Sequence, residues 1–297
     1  MFKGLSAFPL TPLLNDDIDE GAFIRLLQRL AAAKVNSLGV LGSTGSYAYL
    51  SREQRKRVTA IAKAHAGDIP VMTSIGAVST AEVLHLAEDA QSAGADALLL
   101  PVMSYQPLTD DEVYSLYEDV SAHVSVPICV YDNPRCTHFS FSGSLLSRVA
   151  ALPQISAIKM PGAPTDAGTI ADRVRSLRTR VPERVALGVS ADAFAADGLN
   201  AGCDVWFSVC GGLFPRTAMA IAEAAARHDQ QQVTVLSERL TPLWALFTQH
   251  GGGIRVMAAA AALLGLVSPE CLPRPLKALS RDDVARVAAV IREAGLE

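Results

Sequence analysis

The feature that most constrains the fold is a regular alternation of short apolar runs with longer amphipathic ones, which continues to about residue 225. The short runs predict strands, and the runs whose apolar residues recur every three or four positions predict helices that bury one face. Strands that alternate with helices indicate parallel βαβ units. Eight strands are predicted, over Gly4–Phe8, Ser37–Leu41, Val71–Ile75, Ala97–Leu100, Ile128–Tyr131, Ser156–Lys159, Val185–Val189 and Val205–Val209.

Eight such units favour an α/β fold of the closed (β/α)8 type, the TIM barrel. The run Ala97–Leu100 is apolar at consecutive positions, as expected where the barrel core and the outer helices cover both faces of a strand. An open doubly wound sheet is the alternative, but eight units within about 225 residues match the typical barrel size better. We therefore predict a barrel over residues 1–225 that carries the catalytic site.

A C-terminal helical region is predicted over residues 226–297. Strand patterns stop there, and three helical patterns follow, at His228–Gln249, Ile254–Leu264 and Arg281–Ala294. The glycines at 251–253 predict a connection or a helix terminus. A phosphate loop is a weaker interpretation of these glycines, because no strand precedes them.

Composition excludes several classes of partner. The net charge is -4 and acids and bases are interspersed, so the chain offers no broad basic face to nucleic acid or anionic lipid. The longest apolar runs, Ala95–Val102 and Val256–Leu266, are shorter than the roughly 20 residues that span a bilayer. The N-terminus lacks the pattern of a secretory signal. These features predict a cytoplasmic protein that binds a small molecule, with no nucleic acid and no membrane as partner.

The motifs predict neither a metal nor a cofactor. The five cysteines include no C-x-x-C pair, which indicates reduced thiols that mainly pack. No cluster of His, Cys, Asp and Glu has the spacing of metal ligands. No glycine-rich motif for a dinucleotide or a nucleotide triphosphate follows a strand.

Functional groups of a TIM barrel gather at the carboxyl ends of the strands. The second strand leads into Gly42–Ser46, whose small residues let backbone N–H groups approach an anionic oxygen. A turn stabilised by its own hydroxyls, with no ligand, explains this motif equally well. The fifth strand ends at Tyr131, which places a phenol at the barrel mouth. A packing residue with a hydrated hydroxyl is the alternative interpretation of this tyrosine.

The sixth strand ends with Lys159, which follows apolar residues and precedes Met160 and Pro161. Burial at such a place disfavours the charged form of a lysine and lowers its pKa, and the neutral amine is the form that attacks a ketone carbonyl. The alternative is a lysine whose stem covers apolar surface while its ammonium reaches water. The ends of these three strands lie on one rim, which favours a catalytic role.

Together these motifs resemble the dihydrodipicolinate synthase and N-acetylneuraminate lyase family of class I, Schiff-base aldolases. The resemblance covers nearly the whole chain, including the C-terminal helices. The residues that carry it, in order, are Ala7-Phe8-Pro9-Leu10-Thr11-Pro12, Gly42-Ser43-Thr44-Gly45, Leu100-Pro101 through Tyr105, Tyr131-Asp132-Asn133-Pro134 and Ile158-Lys159.

The resemblance implies a role for each matching residue. Lys159 is expected to form the Schiff base, and Tyr131 to relay protons to and from the carbinolamine. Ser43 and Thr44 are expected to hold the carboxylate of a pyruvate-like 2-oxo acid, and Tyr105 to reach across an oligomer interface. The resemblance also implies a homotetramer built as a dimer of dimers. The predicted site comprises catalytic Lys159, Tyr131, Thr44 and Tyr105, and substrate-binding Ser43, Thr44, Gly45, Arg135, Cys136 and Val209.

The chain departs from the family pattern at several of these positions. Ser46 follows the glycine turn, and Met160 follows the lysine, where the family commonly has glutamate in both places. Dihydrodipicolinate synthases carry an arginine two residues beyond the proline of the tyrosine motif, which binds the carboxylate of the aldehyde substrate. Here that residue is Cys136, while Arg135 lies one residue earlier. The sequence therefore predicts that pyruvate handling is kept and that the chain is not a true synthase of lysine biosynthesis.

Three functions fit this pattern. The leading hypothesis is a lyase or aldolase that cleaves or forms a carbon–carbon bond of a 2-oxo acid through an imine. The second keeps the imine but eliminates water or ammonia, as a dehydratase or deaminase of a 2-oxo sugar acid or related compound. The third is a non-catalytic protein that binds a 2-oxo acid, because fold alone does not determine chemistry.

Overall fold

A computed structural model of the chain describes residues 1–163 and 168–297. In these ranges the chain forms a barrel, a short hairpin and a surrounding layer of helices. The strands are β1 (Gly4–Ala7), β2 (Leu13–Leu14), β3 (Asp17–Ile18), β4 (Ser37–Val40), β5 (Val71–Ser74), β6 (Ala97–Pro101), β7 (Ile128–Tyr131), β8 (Ile155–Pro161), β9 (Ala186–Ser190) and β10 (Val205–Ser208).

The helices follow the barrel strands in turn and then continue alone to the end of the chain. They are α1 (Glu20–Ala32), α2 (Arg52–His65), α3 (Thr80–Ser92), α4 (Asp110–His123), α5 (Pro134–Thr137), α6 (Gly143–Ala150), α7 (Ile170–Arg178), α8 (Ala195–Asn200), α9 (Pro215–Ala226), α10 (Gln230–Glu238), α11 (Thr241–Gln249), α12 (Gly253–Leu263) and α13 (Arg281–Glu293).

Eight parallel strands close into a barrel in the order β1, β10, β9, β8, β7, β6, β5, β4. Closure through the pairing of β1 with both β4 and β10 excludes the open doubly wound sheet. The predicted TIM barrel is therefore confirmed, and each predicted strand lies within two residues of its observed bounds.

Two local features differ from the sequence prediction. The segment His228–Gln249, predicted as one helix, forms two helices, α10 and α11, with a turn at Arg239 and Leu240 between them. Pro242 lies in the first turn of α11, because a proline ring is tolerated at the start of a helix but not in its interior. The hairpin of β2 and β3 was not predicted, since two-residue strands carry no periodic signal. The division of the chain at residue 225 stays a prediction.

The C-terminal helices rest on the barrel's outer layer. Helix α10 packs against α8 and α9, and α12 packs against α13. The glycines at 251–253 form the junction between α11 and α12, with φ of 69° at Gly251 and 138° at Gly252. Positive φ angles favour glycine, so the predicted helix terminus is confirmed. In residues 1–163 and 168–297, no helix combines the length and the apolar character that crossing a membrane requires.

The interior of the barrel is an apolar cluster directly beneath the candidate site. It is formed by Phe8, Met72, Ala97, Leu99, Cys129, Tyr131, Ala157, Val205 and Phe207. All nine side chains are buried, so the strands are held by packing on their inner faces as well as by the outer helices.

Replacing Leu99 with alanine should lower the free energy of unfolding by about 2–5 kcal/mol, because the substitution leaves a cavity in the barrel interior. Leu99 is fully buried, whereas Leu14, at 55% exposure, is a matched control. Urea denaturation of Leu99→Ala and Leu14→Ala measures the difference. Equal losses in the two variants would contradict the assignment of Leu99 to the packed interior.

Candidate functional site

Lys159 lies in β8 between two strands whose register positions its neighbours. It pairs with Tyr131 of β7 and with Gly188 of β9. The Asp132 N–H donates to the Lys159 carbonyl at 2.9 Å, which extends the ladder past the end of β7. Lys159 is only 5% exposed, so the structure excludes a lysine whose ammonium reaches open solvent.

Three aromatic rings surround the Lys159 amine. Its Nζ lies 3.8 Å from the ring centroid of Phe8, 4.4 Å from that of Tyr131 and 5.5 Å from that of Phe207. The rings of Phe8 and Phe207 pack edge to face, with centroids 6.0 Å apart. They replace water around the amine with apolar and weakly polar surface.

Two glycines make room for these rings. A Cβ on Gly39 of β4 would lie 2.3 Å from the Phe8 ring, and one on Gly188 of β9 would lie 2.2 Å from the Phe207 ring. Both distances are far inside van der Waals contact, so any larger residue would displace a ring. The small residues at these strand positions therefore allow the aromatic enclosure of Lys159.

Burial lowers the pKa of Lys159 from 10.5 to about 8. The charges of Cys129, Asp192 and Cys136 oppose this effect. Because a buried ammonium loses its hydration, the neutral amine is favoured. A substantial fraction of the amine is therefore nucleophilic near neutral pH, as attack on a carbonyl requires.

The Tyr131 hydroxyl forms hydrogen bonds with two side chains. Its oxygen lies 3.1 Å from Ser43 Oγ, and Asn133 Nδ2 donates to it at 2.7 Å. Since Asn133 occupies the oxygen as a donor, the phenolic proton can be directed to Ser43 or to a ligand. Burial raises the pKa of Tyr131, and the hydrogen bond from Ser43 opposes the rise. The phenol therefore holds its proton and can donate it.

The turn after β4 owes its shape to unusual backbone angles. Leu41 and Ser46 have φ of 58° and 61°, which side chains other than glycine rarely adopt. A Cβ on Gly45 would lie 2.8 Å from the Leu41 nitrogen, so this position requires glycine. The tight turn is closed by the Ser46 N–H, which donates to the Ser43 carbonyl at 3.2 Å. Strained angles of this kind concentrate at functional sites.

Ser43 and Thr44 occupy different parts of the site. Ser43 contacts Tyr131, whereas Thr44 is buried in a narrow crevice that Phe8, Val209 and Met257 also line. The structure thus brings Ser43, Tyr131 and Lys159 together, and it places Thr44 and Val209 beside the Phe8 ring. The hydroxyl that touches the phenol is that of Ser43, although the sequence interpretation gave the catalytic part to Thr44.

Arg135 and Cys136 lie on α5 at the edge of the site, and both are exposed. Arg135 Nη2 donates to the Gly251 carbonyl at 2.6 Å, which ties α5 to the junction of α11 and α12. Burial lowers the pKa of Lys159 and raises that of Tyr131, and a charge on Cys136 is among the smaller effects that raise both. Cys136 is thus an exposed residue of α5, and the Arg135 guanidinium is engaged with the Gly251 carbonyl.

Tyr105 is not part of the buried cluster around Lys159. It lies in the loop after β6 and is 89% exposed, whereas Tyr131 is 4% exposed. Its expected role across an oligomer interface needs a second copy of the chain and stays a prediction.

Several residues of the site were missed by the sequence interpretation. The sequence pattern assigns Phe8 and Phe207 to strands, and it places Phe8 and Asn133 in motifs without giving either a role. Tyr47, which is 6% exposed, was also missed; its ring lies beneath the Arg55 guanidinium, 5.5 Å from it. An aromatic residue directly after the glycine turn was the available signal for Tyr47. The sequence carries no comparable signal for the rings beside Lys159, because only closure of the barrel brings them together.

A buried carboxylate supports the far side of the site. Asp192 accepts hydrogen bonds from Trp206 Nε1 at 3.0 Å and from the Cys210 N–H at 2.7 Å. Burial raises its pKa to about 6, and these hydrogen bonds oppose the rise. Asp192 therefore fixes the turn after β10. In the part of the chain that the structure describes, no three His, Cys, Asp or Glu side chains lie close enough to hold a metal ion.

Comparison with known proteins finds one family across the chain. Residues 1–294 match the model of the dihydrodipicolinate synthetase family. The 4-hydroxy-tetrahydrodipicolinate synthase of Phenylobacterium zucineum is 30% identical, and the match covers 100% of this chain and 98% of the relative. The 4-hydroxy-tetrahydrodipicolinate synthase of Rhodospirillum centenum is 32% identical, and the match covers 98% of each chain. The crystal structure of dihydrodipicolinate synthase from Agrobacterium tumefaciens superimposes on this fold with a TM-score of 0.94. The two sequences are 43% identical, and the match covers 99% of this chain and 98% of that one.

The neutral fraction of Lys159 should rise with pH around a midpoint of about 8 in the folded protein, because burial disfavours its charged form. The chemical shift of the ¹³C-labelled Lys159 Cε, assigned with Lys159→Arg, measures this titration by NMR. The same lysine in urea is the control and should titrate near 10.5. A folded-state midpoint equal to that in urea would contradict the aromatic enclosure of the amine.

Proposed function

The chain belongs to the dihydrodipicolinate synthetase family, whose members are class I carbon–carbon lyases with a lysine Schiff base, and on this premise we propose that Lys159 forms an imine with pyruvate or another 2-oxo acid. The observation that carries the proposal is the burial of its Nζ among three aromatic rings, beside the hydrogen-bonded pair of Tyr131 and Ser43. A lysine with a lowered pKa next to a protonated phenol has the groups that imine formation needs.

The chemistry begins with attack of the neutral Lys159 amine on the ketone carbon, which gives a carbinolamine. Tyr131 donates its proton to the departing hydroxyl, water leaves, and the nitrogen forms a double bond to carbon. Tyr131 is then a phenolate, which the hydrogen bond with Ser43 stabilises, and the nitrogen keeps its proton as a protonated imine. In the cleavage direction, the bond between C3 and C4 of the bound 2-oxo acid breaks while the C4 hydroxyl gives its proton to the Tyr131 phenolate. The electrons of that bond form the C2–C3 double bond of an enamine, the protonated imine nitrogen becomes neutral, and C4 leaves as a carbonyl compound, so no free carbanion forms.

The turn after β4 is suited to hold the carboxylate of the 2-oxo acid. Its backbone N–H groups and the hydroxyls of Ser43 and Thr44 lie at the end of a strand, next to the ring of Phe8. Gly45 keeps the backbone close, because no side chain fits there. Val209, in the crevice with Thr44, supplies an apolar wall for the methyl or methylene carbon of the substrate.

The second half of the substrate is proposed to differ from that of the synthases. The position expected to hold a carboxylate-binding arginine is Cys136, and the Arg135 guanidinium donates to the Gly251 carbonyl instead. His138, two residues after Cys136, has a left-handed φ of 57° and is exposed at the same rim. We therefore propose that the enzyme is not a synthase of lysine biosynthesis.

A dehydratase or deaminase acting on a 2-oxo sugar acid is the second candidate. It would use the same imine, and it is favoured by the changed rim at Cys136 and His138, since elimination needs no aldehyde partner. Non-catalytic binding of a 2-oxo acid is the third, motivated by Ser46, Met160 and Cys136 in place of the usual family residues.

We also propose that the chain assembles as a homotetramer. Large apolar side chains are exposed on one chain at Tyr105 (89%), Val78 (64%) and Tyr49 (48%). Val78 and Met103 line the same surface cleft, and Tyr105 follows Met103 by two residues. Exposed apolar groups of this size suit contact with a second copy of the chain.

Treatment with pyruvate and borohydride should leave a reduced adduct on Lys159 and abolish activity, because hydride converts the C=N bond into a stable secondary amine. Peptide mass spectrometry locates the adduct. Lys159→Met, which keeps a side chain of similar length, should lose both adduct and turnover, and Lys277→Ala, at an exposed lysine, should keep both. An unmodified Lys159 after treatment would refute the imine, and turnover that depends on Lys159 would exclude the non-catalytic binder.

Product analysis with a panel of 3-deoxy-2-oxo acids should show release of pyruvate, because only carbon–carbon cleavage produces it. A coupled assay with lactate dehydrogenase measures pyruvate directly. Products that keep every carbon of the substrate would favour the dehydratase or deaminase. Formation of 4-hydroxy-tetrahydrodipicolinate at the rate of the named relatives would contradict the proposed change of second substrate.

A further inference from the structure

A cleft that shares no residue with the site around Lys159 lies between α1 and the start of α9. Its volume is about 480 Å³, within the usual range of small-molecule sites. Three arginines, Gln28 and Glu297 contribute polar groups to its walls, and apolar side chains form the rest. The residues that matter for the argument are Arg25, Arg29, Pro215, Arg216, Leu266 and Glu297.

Two of the arginines are held in place by backbone carbonyls. Arg25 donates to the Leu266 carbonyl through Nε at 3.3 Å and Nη2 at 3.0 Å, and Arg29 Nε donates to the Leu213 carbonyl at 2.7 Å. These bonds orient the guanidinium groups but do not neutralise them, because a carbonyl carries no net charge. The remaining N–H groups of Arg29 and Arg216 are available to a ligand.

The positive charge of the cleft is not balanced by ion pairs. Within residues 1–163 and 168–297, none of the three arginines forms a salt bridge. Burial lowers the pKa of Arg29, the nearby charge of Arg216 lowers it further, and Glu297 opposes both effects. Arg29 and Arg216 thus repel each other at this cleft. Glu297 offsets part of the charge, and the three guanidinium groups leave an excess of positive charge that favours the entry of an anion.

The N-terminus of α9 adds to this field. The helix begins with Pro215 at the cleft, and its N-cap residue, Phe214, provides no side-chain hydrogen bond. The positive end of a twelve-residue helix therefore has no side-chain cap. Such helix ends attract anions.

We propose that this cleft binds a small phosphate-bearing metabolite. Guanidinium groups recognise phosphate oxygens through paired hydrogen bonds, and three of them converge here. The volume exceeds what inorganic phosphate fills, and the apolar surface of Pro215 and Leu266 suits the organic part of a phosphate ester. The proposal is independent of the imine chemistry, because no residue of the cleft belongs to the catalytic site.

Titration of the whole protein with inorganic phosphate and with glycerol 3-phosphate, at ionic strength matched with sodium chloride, tests the site by calorimetry. Both should bind, and Arg216→Gln should weaken binding at least tenfold, the loss expected when a charge-assisted hydrogen bond is removed. Arg227→Gln is the matched control: it removes an exposed arginine at the other end of α9 and should bind as the unaltered protein does.

Tighter binding of the ester would support a metabolite whose organic part contacts the cleft. The absence of binding by both probes, or equal weakening by Arg216→Gln and Arg227→Gln, would overturn the proposal. Binding of inorganic phosphate alone would also overturn it, since the organic part would then find no place. Arg216 is exposed, and circular dichroism of each variant checks that the fold is kept.

Discussion

The burial of the Lys159 amine among aromatic rings is the constraint on which the rest of the site depends. An ammonium in this position loses the favourable free energy of hydration. Cation–π attraction to the rings of Phe8, Tyr131 and Phe207 compensates for only part of that free energy. A pKa lowered from 10.5 to about 8 corresponds to roughly 3 kcal/mol in favour of the neutral amine. The same enclosure that makes the amine nucleophilic also keeps bulk water away from an imine.

The barrel makes this enclosure possible through its register. Tyr131, Lys159 and Gly188 are neighbours on three adjacent strands, so the phenol, the amine and the space for the Phe207 ring are positioned by backbone pairing. Phe8 arrives from β1, which is adjacent to β10 only because the barrel closes. A site built from strand ends is more rigid than one built from loops, since packing on both faces fixes each strand.

The sequence was sufficient to predict the eight strands, the barrel and the candidate lysine, because apolar periodicity and strand ends are local signals. It was not sufficient to choose between Ser43 and Thr44. That choice depends on which hydroxyl the turn directs at Tyr131, and the turn contains left-handed φ angles at Leu41 and Ser46 that neither residue type predicts. The rings beside Lys159 were missed for a related reason: Phe8 and Phe207 are 199 positions apart in the chain, and only closure brings them together. The break between α10 and α11 lies just before Pro242, a residue that indicates a helix start, but the continuous helical pattern around it concealed this signal.

The surroundings of Lys159 and the rim at Cys136 and His138 differ in how readily they tolerate substitutions. A substitution beside Lys159 must preserve ring packing inside the barrel, where Gly39 and Gly188 leave no spare volume. Cys136 and His138 are exposed on or after α5, so replacing them disturbs little of the core. Arg135 links this rim to the Gly251 carbonyl, and through it to the C-terminal helices. The groups proposed to activate a 2-oxo acid, Lys159, Tyr131 and Ser43, thus lie on the barrel strands and the turn after β4. The residues proposed to discriminate among second substrates lie at the rim and can change while those groups are kept.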